Sequence, residues 1–351
     1  MKIRSRAPLR IGLAGGGTDI ETFSKEHGGV VLNATIGMYA YCTVTPRNDG
    51  IIKINSYDNK NDLVTAAAPH LALDGDKLIL HRGVYNRVVK EFNGGRPIAF
   101  EMSTSNDAPV GSGLGTSSTM VVAILEAFNR LLGLNLDPYR MAALAYDIER
   151  KDLSLAGGKQ DQYAAVFGGF NYMEFKKDGG VVVNALRLDR GRLSELESSL
   201  LLYYGGHSRS SAKMQLELTK NIISNQIEKT ESGESKTLSA MLDLKQSAHD
   251  MKDYVLTGDM AAFAESMRQG WEQKKRTSDI VTNKELEETI SFVLENGGEA
   301  VKVSGAGGGG FLLIYCSPES RQRLINEMTR LPGKTYPVSF TKHGAESWIV
   351  R

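Results

Sequence analysis

The chain has 351 residues, with 42 Lys and Arg against 41 Asp and Glu and a formal net charge of +1. That balance excludes the basic excess of a nucleic-acid-binding surface, and 41% hydrophobic with 24% charged residues excludes a disordered chain. No apolar run reaches the roughly 20 residues of a membrane span, and the opening MKIRSRAPLRIGLAGGG has no secretory pattern, so a cytoplasmic globular protein of two domains is expected. Cys42 and Cys316 lack CxxC spacing, which points to buried thiols rather than a zinc site or a disulfide.

Residues 8–13 read as a strand entering Gly15-Gly16-Gly17, followed by Thr18 and Asp19. A carboxylate placed there suits substrate hydroxyls, and Asp19 is also a good N-cap for a helix over 20–26. A strand that runs into three glycines resembles the start of a dinucleotide-binding unit too. An NAD-dependent oxidoreductase is therefore the competing class, but it leaves the later glycine clusters unexplained. Residues 30–46 are rich in β-branched and aromatic side chains and read as one or two strands; 51–56 and 97–103 read as further strands. Leu78 to Phe92 carries apolar residues at helical spacing.

The segment Pro109-Val-Gly-Ser-Gly-Leu-Gly-Thr-Ser-Ser opens a helix from Thr116 to Leu132 that is apolar nearly all round, and such a helix is buried. Glycines before a helix start let the backbone wrap an anion, and the first N–H groups of the helix have no partner within it. Gly111, Ser112, Gly113, Leu114, Gly115, Thr116, Ser117 and Ser118 are thus candidates for phosphate binding, with hydroxyls for phosphate oxygen or Mg²⁺. No Lys follows the last Gly, so this is not a Walker A loop. Asp137-Pro138 makes a capped helix start, and the helix is expected to run to Glu149 or Arg150. Next comes Gly157-Gly-Lys-Gln-Asp-Gln-Tyr. Here Asp161 stands beside Lys159, and an ionised carboxylate can take a proton from a substrate hydroxyl during phosphoryl transfer.

Residues 170–175 and 181–188 read as strands, 200–204 is a further apolar stretch, and helical patterns dominate from 210 to 296. The stripe Met260, Phe263, Met267, Trp271 reads as core, as does Leu286, Ile290, Val293, Leu294. Gly205-Gly-His-Ser-Arg-Ser-Ser precedes a helix, which makes Arg209 the candidate for a second anion site, with Lys213, Lys274 and Lys275 as lesser candidates; Lys274-Lys275-Arg276 also reads as a solvated helix end. The last cluster, Val303-Ser-Gly-Ala-Gly-Gly-Gly-Gly, lies between strand-like runs. Its GxGxxG lacks the following helix of a dinucleotide site. Close packing of Gly305, Ala306, Gly307 and Gly308 against a phosphate or another loop fits better.

Ala7-Pro-Leu-Arg-Ile-Gly-Leu, the 109–118 segment and the 303–310 segment occur in the order of the three signatures of the GHMP kinase superfamily, which the chain resembles over nearly its whole length. Ala-Gly-Gly-Gly-Thr-Asp and Gly-Gly-Lys-Gln-Asp-Gln-Tyr resemble its sugar anomeric kinases. The resemblance implies an α+β fold of two domains, 1–195 like ribosomal protein S5 domain 2 and 196–351 ferredoxin-like. It implies ATP and Mg²⁺ as cofactors and transfer to the C1 hydroxyl of a sugar or sugar phosphate. It places Asp161 as the catalytic Asp, Arg10 as the basic residue that acidifies the attacking hydroxyl, and Ser117 and Glu149 as Mg²⁺ ligands. Gly16, Gly17, Thr18, Asp19, Lys159 and Arg209 are assigned to the substrate. No nucleic acid or membrane partner is expected, and a homodimer is allowed. L-fucose kinases share the pattern, and a non-catalytic sugar sensor on the same fold is the binding-protein alternative.

Overall fold

The computed structural model describes residues 1–58, 60–75, 77–206, 216–221 and 236–350. The first layer is an eight-stranded sheet. Its strands are β1 (Lys2–Ala14), β2 (Gly29–Pro46), β3 (Ile51–Ser56), β4 (Asn61–Ala66), β5 (Phe100–Asn106), β6 (Phe170–Phe175), β7 (Val181–Ala185) and β12 (Glu346–Val350). The path runs β12-β1-β2-β5-β3-β4, with β6 and β7 continuing from the other half of β2. Only β3 and β5 pair in parallel among the described pairs. The 30–46 run is one long strand, β2, which serves β5 with its C-terminal half and β6 with its N-terminal half. Half-buried β4 gave little apolar signal in NDLVTA.

One face of this sheet is covered by α2 (Ile79–Phe92), α3 (Thr116–Leu132), α4 (Pro138–Asp147) and α5 (Gln160–Phe167). Helix α3 is almost wholly buried, with Val121, Val122, Ile124, Leu125 and Phe128 fully enclosed, as its all-round apolar sequence requires. Asp137 caps α4 by accepting from the Arg140 N–H at 3.0 Å. Regular helix ends at Asp147, earlier than the sequence suggested, and Ile148–Asp152 form a π-helical turn.

The second layer is a four-stranded antiparallel sheet of β8 (Leu200–Tyr204), β9 (Ala300–Val303), β10 (Phe311–Tyr315) and β11 (Lys334–Pro337), ordered β11-β8-β10-β9. Helices lie between β8 and β9 and again between β10 and β11, so the topology is ferredoxin-like, as expected. The helices are α7 (Lys236–Thr257), α8 (Met260–Lys275), α9 (Lys284–Glu295) and α10 (Pro318–Met328); α6 (Arg190–Ser199) and a short α1 (Glu21–His27) complete the set, and residues 216–221 are also helical. Phe263, Met267 and Trp271 are buried, as are Leu286, Ile290 and Val293, whereas Leu294 is exposed. Leu9, Ile11 and Leu13 of β1 share one core cluster with Met251, Phe263, Leu202 and Phe311. The two layers therefore meet along β1, and β12 returns from the second half of the chain to pair with β1. Both cysteines are buried and free.

Candidate active site

The glycine segments converge at the seam. Residues 109–115 connect β5 to α3. Gly113 has φ +83° and Gly115 φ +79°, a left-handed conformation that glycine adopts without steric cost. Close approach adds a second requirement. A Cβ on Gly113 would stand 2.1 Å from the Ser304 carbonyl oxygen, and one on Gly115 would stand 3.1 Å from Asp161 Cγ. The 303–310 loop clamps this segment, with the Phe311 N–H donating to the Ser112 carbonyl at 2.9 Å and Ser304 Oγ to the Gly113 carbonyl at 3.3 Å. Loop-against-loop packing is thus one role of the last cluster. Gly305 and Ala306 border the cleft, while Gly308 N–H turns away to the Val281 carbonyl at 2.6 Å and Gly307 packs on Val281. Ser112 and Leu114 are fully buried, and Thr116 and Ser118 nearly so. Ser117 is half-buried. No side chain caps the start of α3, which leaves positive helix-dipole charge facing the loop.

Asp161, in the first turn of α5, meets Arg10 of β1. Arg10 Nε donates to Asp161 Oδ1 at 2.7 Å and Nη2 lies 2.6 Å from the same oxygen; Nη1 donates to the Gly113 carbonyl at 2.7 Å. One guanidinium thereby ties the candidate base to the candidate phosphate loop. Arg10 is 4% exposed, so its orientation is held by its partners. The β1–β2 register shifts between Pro8 and Arg10, an irregularity of the kind that re-aims a side chain. The cation beside Asp161 is therefore Arg10, across the sheet, and not its sequence neighbour Lys159. Lys159 Nζ donates to the Gly179 carbonyl at 3.0 Å and lies 5.3 Å from the Tyr146 ring centroid. Its ammonium is thus engaged by a backbone carbonyl and an aromatic face and makes no ion pair with Asp161.

Gly16, Gly17 and Asp19 do border the cleft. Asp19 is 2% exposed and accepts from the Gln160 N–H at 3.0 Å, Gln160 Nε2 at 3.3 Å and the Gly17 N–H at 3.2 Å. It does not cap α1, whose N-cap is Ile20; it satisfies the start of α5 instead. Burial, with the charge of Asp161 as a lesser cause, raises its pKa. Three bonds leave the carboxylate acceptor capacity for a hydroxyl in the cleft. Thr18 differs from the expectation. Its hydroxyl donates toward the Gly15 and Val30 carbonyls at 2.9 and 2.7 Å and accepts from the Val30 N–H at 3.0 Å. With no exposed surface, Thr18 fixes the loop and does not face substrate.

Glu149 stands in the π-helical turn, a feature frequent at functional sites. It is 1% exposed; Gln162 and Ser118 hydrogen-bond its carboxylate, and Arg150 Nη1 is 3.8 Å away. Burial, and to a smaller degree the charge of Asp161, raises its pKa. A divalent cation would relieve both effects, so a buried carboxylate at the uncapped helix start, with Ser117 on the same first turn, fits Mg²⁺. That ion takes one or two carboxylates together with phosphates and water.

Two lysines that sequence reasoning misjudged or passed over complete the cleft. Lys274 is not a solvated helix end: it is 9% exposed, and its Nζ donates to the Gly16 carbonyl at 3.1 Å. Lys302 of β9 donates to the Leu13 carbonyl at 2.7 Å. Burial pushes these ammonium groups down to about 8 and about 7 respectively. A lysine inside the apolar run AVKV, next to a glycine cluster, was the available signal for Lys302. Arg209 and Lys213 lie outside the described residues.

The glycine loop before α3, the Arg10–Asp161 pair and buried Glu149 lie where the eight-stranded and ferredoxin-like layers meet, an arrangement suited to a small-molecule phosphotransferase. The chain matches the GHMP kinases N-terminal domain over residues 79–169 and the GHMP kinases C-terminal domain over 251–334. It is 41% identical, over 99% of both chains, to the D-glycero-alpha-D-manno-heptose 7-phosphate kinase of Campylobacter jejuni. The chain therefore belongs to the GHMP kinase family. A crystal structure of a D-glycero-D-manno-heptose 1-phosphate kinase from Bacteroides thetaiotaomicron superposes with a TM-score of 0.83 at 42% identity, covering 99% of each chain. The L-fucokinase/L-fucose-1-P guanylyltransferase of Bacteroides fragilis is more distant, at 27% identity over 92% of this chain and 36% of its own length. GHMP kinases use ATP, and among the described residues no helix is long and apolar enough to cross a membrane.

Proposed function

We propose that the protein transfers the γ-phosphoryl group of ATP to the anomeric hydroxyl of D-glycero-D-manno-heptose 7-phosphate. The product is the 1,7-bisphosphate, made in the cytoplasm on the way to nucleotide-activated heptose for surface polysaccharide. The observation that carries the reading is the Arg10–Asp161 pair, joined through Gly113 to the loop at the start of α3. Full-length identity to the heptose phosphate kinase of Campylobacter jejuni supports the choice of sugar.

The residues divide the work as follows. Backbone N–H groups of 111–117 and the α3 dipole hold the nucleotide phosphates. Ser117 and Glu149 would hold Mg²⁺, which when bound neutralises phosphate charge. Asp19 and the Gly16–Gly17 backbone orient the sugar hydroxyls. Asp161 accepts the C1 hydroxyl proton late in the transfer, and Arg10 stabilises the charge that develops between acceptor oxygen and phosphoryl group. Positioning and electrostatics dominate such a reaction, and turnover of about 1–100 s⁻¹ is expected. ADP release measured with Mg-ATP and, in separate reactions, heptose 7-phosphate, mannose 6-phosphate and L-fucose tests the reading. The heptose should give the highest kcat/KM. Preference for L-fucose would overturn the substrate and keep the kinase; bound ATP with no ADP from any sugar would favour a sensor.

A further inference from the structure

We propose that the recess between β1 and α8, walled by Lys274, Lys302 and Trp271, holds the phosphate that the acceptor already carries. The proposal rests on the reading of the acceptor as a sugar phosphate and assigns the residues that recognise it.

The lining of the recess includes three cations, Arg10, Lys274 and Lys302, and no carboxylate. Arg10 is already paired with Asp161. Lys302 feels only other cations, and Lys274 feels the charge of Asp19 without forming a close ion pair with it. Among the described residues each has one protein acceptor, the carbonyl of Gly16 or of Leu13, while an ammonium has three N–H groups to give. Two buried cations facing one space are unfavourable without an anion. Their depressed pKa values agree, since Lys302 is lowered by burial first and then by the charges of Lys274 and Arg10. A third donor waits in the same wall. Trp271 is 4% exposed, and its buried indole N–H has no hydrogen-bond partner among the described residues, although a buried Trp N–H usually finds one.

The recess is separate from the nucleotide loop, because no residue of 109–118 lines it. It adjoins the proposed place of transfer through Arg10, which bonds Asp161, and through Gln160, the residue before Asp161. Arg10, Gly16, Gln160, Lys274 and Gly305 border both the recess and the adjoining space that contains Asp19. A sugar with its reacting hydroxyl at Asp161 can therefore direct a distant phosphate toward Lys302. A phosphate monoester is largely dianionic above its second pKa of about 6, which suits two ammonium groups that each still have N–H groups to give.

The test measures kcat/KM for heptose 7-phosphate and for the same heptose without phosphate, in the wild-type chain and in Lys302→Met, Lys274→Met and Lys302→Arg. The readout is the preference for the phosphorylated sugar. It should fall about 10- to 100-fold in each Met variant, the usual effect of losing a hydrogen bond between charged groups, and survive largely in Lys302→Arg. Equal losses on both sugars, with the ratio kept, would overturn the site and leave the lysines with structural roles. A second arm titrates inorganic phosphate in saturating non-hydrolysable ATP analogue and follows Tm. Phosphate should raise the Tm of wild type more than that of Lys302→Met; an equal rise, or none, would overturn the site. If wild type uses neither heptose, the substrate reading fails, and the phosphate arm alone decides whether the recess takes an anion.

Discussion

Substituting Gly113 by Ala tests whether the two glycine loops are held at the separation seen here. At φ +83° an L side chain carries a strain of roughly 1–2 kcal/mol. Its Cβ would also stand 2.1 Å from the Ser304 carbonyl oxygen, more than an ångström inside ordinary contact. That oxygen belongs to backbone and cannot rotate away, and overpacking of this kind costs about 1–3 kcal/mol. The sum, about 2–5 kcal/mol, is a large part of the ~5–15 kcal/mol of a folded protein. It should lower Tm by at least about 3 °C, taking roughly 1.4 °C per kcal/mol from an unfolding entropy of about 2.1 cal/mol/K per residue over the 351 residues. ATP affinity by calorimetry should fall as well, because the Gly113 carbonyl receives both Arg10 Nη1 and Ser304 Oγ. Gly270→Ala in α8 is the control of opposite sign. Nothing lies within 4 Å of its added Cβ, and its φ is not positive, so helix propensity should give a gain of up to ~1 kcal/mol. A Gly113→Ala protein with wild-type Tm and wild-type ATP affinity would refute the packing argument.

Three further outcomes are expected. Asp161→Asn should cut kcat by about 10²–10⁴-fold, the range of general-base contributions, with ATP binding by calorimetry retained; near-normal turnover would remove Asp161 from the mechanism. Thr18→Val should lower Tm, since it removes the hydroxyl that serves the Val30 carbonyl and N–H, at about 1–3 kcal/mol for buried groups left unpaired; unchanged Tm with a raised KM for sugar would return Thr18 to substrate contact. The third concerns pH. Burial and the neighbouring cations push the Lys302 ammonium down to about 7 in the folded chain, from an ordinary value of 10.5. Between those values the unfolded chain binds more protons than the folded one, so this group makes stability rise with pH from about 7 to about 10. Unfolding free energies measured across that window should climb less steeply in Lys302→Met than in wild type; identical slopes would contradict the burial of a charged Lys302.

Legibility in the sequence followed the range of the interaction. Helix α3 begins at Thr116 and ends at Leu132 as read, because glycine-to-apolar transitions are local. Strand β3 also matches its reading, Ile51–Ser56. Strand β12 was not visible: ESWIV is short, and its register is set by β1, more than 300 residues earlier. The same distinction runs through the site. The phosphate loop and Asp161 lie in compact motifs. The partner of Asp161 does not, because Lys159 is its near neighbour in sequence while Arg10, 151 positions away, is its neighbour in space. Lys274 was misjudged for a related reason. A helix-end argument is local, whereas its burial comes from the Gly16–Gly17 loop folding across it. Thr18 shows that adjacency in a motif does not equal a shared role, since consecutive side chains of one loop point to backbone and to cleft.

The most direct test of the account is the ³¹P spectrum of the intact protein incubated with Mg-ATP and D-glycero-D-manno-heptose 7-phosphate. The account predicts a new phosphate resonance coupled to the anomeric proton, formed in step with ADP while the 7-phosphate signal persists. A phosphate appearing on any other carbon, or ADP formed with no sugar-bound phosphate, would contradict transfer to C1 at Asp161.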